Sequence, residues 1–153
     1  MAVDLPPAPI AESLQCCTLI SAPGAYVPDL HRILLAEDDG LIGWDLSDEL
    51  EGAGFAVAGP FATVAETLAY LSEHTPSAAI VDVLLQDASC DALADALRAR
   101  GIPFLVHSGT SPRYLGEALE TVPWLEKPAK LAVLIAALAT LLPEAVPGSS
   151  FAP

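Results

Sequence analysis

The strongest constraint on the fold is the spacing of apolar runs along residues 31–142. Short, almost purely aliphatic runs alternate there with longer segments whose apolar residues recur at helical spacing. "RILLAE" is followed by "LIGWDLSDELEGAG", where Leu41, Ile42, Trp44 or Leu46, and Leu50 fall at helical spacing and Gly52 and Gly54 close the segment. Trp44 is expected to pack on that helix face. "FAVAGP" reads as a second strand ended by its Gly-Pro break, "VAETLAYLSEH" as a helix and "SAAIVDVLL" as the third strand. "DALADALRARG" is a helix whose closing Arg, Arg and Gly suit its C-terminus. "IPFLVHS" is a fourth strand, "PRYLGEALE" a short helix, "VPWLEKP" a fifth strand and "LAVLIAALATLL" the last helix. Strands without polar alternation are covered on both faces, which is the habit of parallel sheets. The expected fold is therefore α/β, a doubly wound five-stranded parallel sheet of the flavodoxin-like kind. Only 18 residues separate Ser108 from Lys127, and Pro112, Gly116 and Pro123 interrupt them, so the fourth helix is expected to be short or irregular.

The flanks read differently. Residues 1–30 are rich in Pro, Ala and Ser without a sustained period, and are expected to form a flexible extension. Residues 143–153 are expected to form a disordered tail. No window reaches the ~18 uninterrupted apolar residues of a membrane helix, and the first thirty lack the pattern of a signal peptide. The three cysteines, Cys16, Cys17 and Cys90, have no metal spacing and suit a reducing cytoplasm. With 20 acidic residues against 6 basic ones, the net charge of -14 argues against a nucleic-acid partner, because phosphate contacts need Lys and Arg. Such a charge either solvates a monomer or weak dimer, or presents an acidic face to a basic partner.

In a doubly wound sheet the working groups lie at the carboxyl ends of the strands. Glu37 and Asp38 follow strand one, Asp82 interrupts strand three near its end, Ser108 follows strand four and Lys127 follows strand five. Three carboxylates converging on a small volume make an oxygen site for a hard cation. Mg²⁺ fits best, since it needs one or two protein carboxylates together with water and phosphate oxygens. A carboxylate held there can attack phosphorus and form an aspartyl phosphate, with Lys127 and Ser108 supplying a charge and a hydroxyl to the phosphoryl oxygens. Asp39, the third consecutive acid, is expected to face solvent or cap the first helix.

The stretch from Arg32 to Leu142 resembles the receiver domain of a two-component response regulator. The resemblance rests on the acidic pair Glu37 and Asp38, Asp82 on strand three, Ser108 after strand four, and Lys127-Pro128 after strand five, all in family order. It implies that a histidine kinase or histidine phosphotransfer protein donates a phosphoryl group to Asp82. It also implies a Mg²⁺ held by Asp38, Asp82 and the backbone carbonyl of Leu84, with Glu37 acting through water. Ser108 and the aromatic Trp124 would form the switch. Otherwise Trp124 is a strand-end aromatic covering the core. "IPFLVHSGT" is similar to a subgroup of stand-alone α-proteobacterial receivers, although Thr110 stands where that subgroup favours an aromatic.

Several readings compete. Asp82 as a structural acid paired with Lys127 would leave Glu37 and Asp38 without a purpose. A phosphatase on a related fold would need a second acid just after the nucleophile, where Val83 and Leu84 stand. A pseudo-receiver would act as a phosphorylation-independent interaction module. The expected role is that of a single-domain response regulator, not an enzyme beyond its own phosphorylation and dephosphorylation. Its output is contact with a downstream protein, or a place in a relay as phosphoryl shuttle or sink. His31, His74 and His107 have no ligand spacing, and His107 is expected on the sheet face opposite the site.

Overall fold

The computed structural model describes residues 30–109, 119 and 121–142. Five strands, β1 (Arg32–Ala36), β2 (Ala56–Phe61), β3 (Ala78–Val81), β4 (Phe104–Ser108) and β5 (Trp124–Glu126), form one parallel sheet in the order β2-β1-β3-β4-β5. The helices are α1 (Gly40–Gly52), α2 (Val64–Glu73), α3 (Asp91–Ala99) and α4 (Leu131–Leu141). This is the expected doubly wound α/β architecture. Of the segment expected to form a short helix between β4 and β5, only Leu119 is described, and it is buried in the core. The expected extension, apart from Leu30, and the expected tail lie outside the described residues. No helix among the described residues is long and apolar enough to cross a membrane.

Strand residues alternate between two apolar layers because successive side chains point to opposite faces. Leu34, Ala79, Val81 and Val106 meet Leu71 of α2 with Leu93 and Leu97 of α3. Ile33, Leu35, Ile80 and Leu105 meet Leu46 and Leu50 of α1 with Leu134 and Leu138 of α4. Each fully buried aliphatic side chain contributes about 2 kcal/mol relative to exposure. α3 ends as its sequence requires, with Gly101 at φ 65 just beyond the helix. Its arginines do more than favour that terminus. Arg98 lies 5.5 Å over the Phe104 ring, and Arg100 donates to the Leu71 carbonyl and the Thr75 hydroxyl, tying α3 to α2.

Three local expectations need correction. Trp44 does not pack on the inner face of α1: it is 70% exposed, and the buried stripe is Gly43, Leu46 and Leu50. The bare glycine is required there, since a Cβ on Gly43 would lie 2.7 Å from the Pro60 Cβ. Second, β2 does not stop at Gly59-Pro60 but runs through it to Phe61. The register shifts there, with Ala58 opposite Leu34 and Phe61 opposite Ala36, so Gly59 and Pro60 together span the level of Leu35. β2 is an edge strand, where a missing N–H and a bulge are tolerated. Third, β3 ends at Val81, and Asp82 to Leu85 leave the sheet. Leu84 is 57% exposed, which a continuing central strand would not allow.

Two outcomes follow. Gly59 has φ 121, and an added Cβ would stand 2.4 Å from the Leu35 carbonyl oxygen. Gly59→Ala is expected to cost about 2 kcal/mol or more, read from the urea midpoint. Cys90 is buried, and burial pushes its thiol from 9.0 to about 11. The folded state therefore resists losing that proton, and its stability should fall as pH rises from 9 towards 11. Denaturation across that range should show a shallower decline for Cys90→Ala, and Cys90 should resist iodoacetamide at pH 8 until the chain unfolds.

Candidate phosphoryl-acceptor site

The candidate positions from four strands meet at the carboxyl edge of the sheet. Glu37 follows β1, Asp82 follows β3, Ser108 closes β4 and Lys127 follows β5. Pairing of β1 with both β2 and β3 fixes the two acids side by side, through Glu37 N–H donating to the Phe61 carbonyl and Asp82 N–H to the Ala36 carbonyl, each at 2.9 Å. The Lys127 N–H donates to the Ser108 carbonyl at 3.2 Å, extending the β4–β5 ladder by one residue.

The Lys127 ammonium bridges the acids, 2.5 Å from Asp82 Oδ2 and 2.6 Å from Glu37 Oε2. All three side chains are largely withdrawn from water, with exposures of 14% for Lys127, 1% for Glu37 and 9% for Asp82. Burial pushes the Glu37 carboxyl above its usual range, offset in part by Lys127 and the Asp39 N–H and reinforced by the nearby Asp82. Burial opposes the Lys127 charge, but its hydrogen bonds to Asp82 and Glu37 outweigh this and hold its pKa above the ordinary lysine value. One ammonium cannot neutralise two buried carboxylates, so both directions are expected together.

Asp38 is the more open third acid. Oxygens of Glu37, Asp38 and Asp82 all lie within 4.8 Å of one another. Three hard oxygen donors with a single ammonium leave an excess of negative charge, which fits a divalent cation such as Mg²⁺. Asp39 takes the other role expected of it, capping α1 by accepting from the Leu41 N–H at 2.9 Å and the Ile42 N–H at 3.2 Å.

The β3–α3 loop wraps Asp82. The Leu84 N–H lies 3.4 Å from Asp82 Oδ1, Leu84 pairs with Ser89, and the Cys90 N–H donates to the Val83 carbonyl at 2.9 Å. Two residues of this loop were not singled out in the sequence. The Asp87 carboxylate accepts from the Val64 and Ala65 N–H groups at 2.7 and 3.0 Å, so it caps α2 from a distance, and those bonds hold its pKa down. Gln86 reaches the Asp38 carbonyl at 3.4 Å. An acid in a turn carries no sequence signal for a helix that begins 23 residues earlier.

Ser108 is buried beside these groups. Trp124 pairs with Val106 and packs against the layer beneath α2 and α3, so it shares a sheet face with Ser108. His107 lies on the other face, towards α1 and α4, as expected.

A parallel doubly wound sheet with clustered acids and a bridging lysine at its carboxyl edge is the arrangement that the resemblance to a receiver domain implies. No family model matches the chain. It is 36% identical to SdrG from Sphingomonas melonis Fr1, whose solution structure superimposes with a TM-score of 0.65 over 73% of this chain and 96% of that one. An SdrG structure in a BeF3-activated conformation matches at the same identity, with a TM-score of 0.64 over 74% and 98% of the two chains. A receiver domain from Methylobacillus flagellatus is 28% identical, with a TM-score of 0.65 over 73% and 98% of the two chains. The transcriptional regulatory protein PdtaR of Mycobacterium tuberculosis is 30% identical over 118 residues, which span 74% of this chain and 57% of that protein. The chain thus spans little more than half the length of the curated relatives it matches. It belongs to the response regulator receiver family.

Removing the bridge tests the electrostatics. Lys127→Met should cost about 3 kcal/mol at neutral pH, because it leaves two buried carboxylates unpaired. Without Lys127 the Glu37 carboxyl, already raised by burial, would stand further above its unfolded value, so the deficit is fully present at neutral pH. It should shrink as pH falls towards the ordinary glutamate value of 4.5, a trend that urea titrations at successive pH values would read.

Proposed function

We propose that the chain is a phosphoacceptor response regulator. In this reading Asp82 takes a phosphoryl group from the phosphohistidine of a histidine kinase or histidine phosphotransfer protein. The observation that carries it is the Lys127 bridge to Asp82 and Glu37 beside an acidic cluster on the sheet's carboxyl edge. Lys127 engages Asp82 Oδ2, and Oδ1 has only the long Leu84 N–H contact among the described residues, so Oδ1 is the oxygen that attacks. A new O–P bond forms, the P–N bond of the donor breaks, and the imidazole leaves with its electron pair and takes up a proton.

Asp38 and Asp82, with the Leu84 backbone carbonyl and with Glu37 through water, would hold Mg²⁺. The ion supplies neutralisation of charge on the incoming phosphoryl oxygens. The Lys127 ammonium pairs with one of those oxygens, and the Ser108 hydroxyl donates to another. Drawing Ser108 inward vacates space on the face it shares with Trp124, whose ring then turns towards the core. The output is a protein contact or onward phosphoryl transfer, with no catalysis beyond the domain's own phosphorylation and dephosphorylation. The buried free thiol of Cys90 suits the cytoplasm where such donors work. The BeF3-activated conformation of SdrG supports the same two-state behaviour here.

Incubation with Mg²⁺ and acetyl phosphate should add the mass of one phosphoryl group, seen by intact mass spectrometry. The adduct should be absent in Asp82→Asn and when EDTA replaces the metal. Failure of the native protein to form an adduct with acetyl phosphate, phosphoramidate or a phosphorylated kinase would instead favour a phosphorylation-independent interaction module.

A further inference from the structure

A second concavity adjoins the acceptor site from the α1 side. It has a volume of about 180 Å³ and lies between α1 and the segment that follows β5. Ile42 and Leu46 give it an apolar wall, with Pro128 across from them, and Asp45 and Glu49 also line it from α1. These two acids are four residues apart, so they stand one above the other on one face of the helix. Both are exposed, and neither joins an ion pair among the described residues. α1 contains no lysine or arginine that could serve them. Among the described residues the one cation lining the cavity, Lys127, is already committed to Asp82 and Glu37.

The floor adds a polar group aimed into the cavity. His107 is only 5% exposed, and both of its ring nitrogens are buried without a hydrogen-bond partner among the described residues. Alternation along β4 turns it away from Val106 and Ser108 and towards the layer of α1 and α4, where it lines this cavity. Burial and the nearby Lys127 charge push the imidazole pKa below its ordinary value, outweighing the pull of Asp82. A neutral imidazole offers one nitrogen lone pair and one N–H. Leaving both unused in a buried position is costly, which is why buried polar atoms normally have partners.

Two unpaired carboxylates at the rim, an imidazole acceptor at the floor and apolar sides between them match a planar, multiply donating cation on an aliphatic stem. Arginine is that group. Its fork can serve several acceptors at once, and its methylenes can lie along Ile42 and Pro128, whereas a lysine ammonium offers a more compact, more strongly hydrated charge. The surface around the mouth says what carries it. Leu41 is 85% exposed and Trp44 70% exposed on the same helix, an apolar ridge flanked by acids. A second copy of this chain is a poor occupant, since each brings a charge of -14. A basic partner helix with apolar residues fits both the ridge and the charge.

We propose that the cavity between α1 and Pro128 is the socket for an arginine side chain of the phosphodonor protein, anchored on Asp45, Glu49 and His107. Naming the phosphodonor as carrier rests on the function proposed above, because the socket shares Lys127 with the acceptor site and would seat a partner beside Asp82.

The test uses the full chain, labelled with ¹⁵N and titrated with N-acetyl-arginine methylamide to tens of millimolar. Saturable shifts are expected at Ile42, Asp45 and Glu49 and at the His107 ring nitrogens, with N-acetyl-lysine methylamide at least about fivefold weaker. The double variant Asp45→Asn/Glu49→Gln should lose these shifts. Asp48→Asn/Glu51→Gln, which removes the same charge from the same helix outside the socket, should keep them. Absent shifts, shifts scattered over all acidic surfaces, or equal losses in both double variants would overturn the socket. Acetyl-phosphate labelling of the unaltered protein reads the parent function separately. Arginine binding without labelling overturns the phosphodonor as carrier, and labelling without arginine binding overturns the socket.

Discussion

The Lys127 ammonium sits between two buried carboxylates, and burial pushes the pKa of one of them, Glu37, upward. Each of the three charges would be costly alone in a site this dry, and the two carboxylates are tolerable because the ammonium lies within hydrogen-bond reach of both. The arrangement demands accuracy from the scaffold. Glu37 must leave β1, Asp82 must leave β3 and Lys127 must leave β5 at one level, and the parallel ladder supplies that alignment. β5 needs only three residues for this, since its task is to deliver the lysine beside Ser108. Anything that takes over part of the negative charge, whether a divalent cation or a phosphoryl group that draws the ammonium to itself, resets this balance.

The surroundings give that balance a reach beyond the acids themselves. The loop after Asp82 is bound to α2 through Asp87 and to the Asp38 backbone through Gln86. A shift of the acceptor loop therefore pulls on a helix start and on the acidic turn together. On the opposite sheet face, His107 and the acids of α1 share Lys127 as a neighbour. The two sides of the sheet thus meet at one side chain.

Much of this was legible in the sequence because periodicity and interruption are written along the chain. Purely aliphatic runs gave the parallel strands, and the polar residues that broke them, Glu37, Asp82, Ser108 and Lys127, marked the working edge. Asp39 was legible as a cap from its place before a helical pattern. Trp44 was misread because its hydrophobicity fits a helix face, whereas the inner position belongs to Gly43, which only the nearness of Pro60 explains. The passage of β2 through Gly59-Pro60 depends on that strand lying at the sheet edge, a property of strand order and not of local composition. Asp87 and the empty hydrogen-bonding capacity of His107 depend on contacts between residues far apart in the chain, which no local pattern encodes.

The bulge in β2 also bears on what the edges of the sheet present to other molecules. At 53% hydrophobic residues and a mean hydropathy of +0.50, an open strand edge would invite another molecule to extend the sheet. One outer edge carries the kink and the proline of β2, and the other is a three-residue strand that runs straight into Glu126, Lys127 and Pro128. Neither offers a straight row of free N–H and C=O groups long enough to template a neighbour. The turn of backbone that lets α1 settle close to the sheet thus doubles as protection against edge-to-edge aggregation.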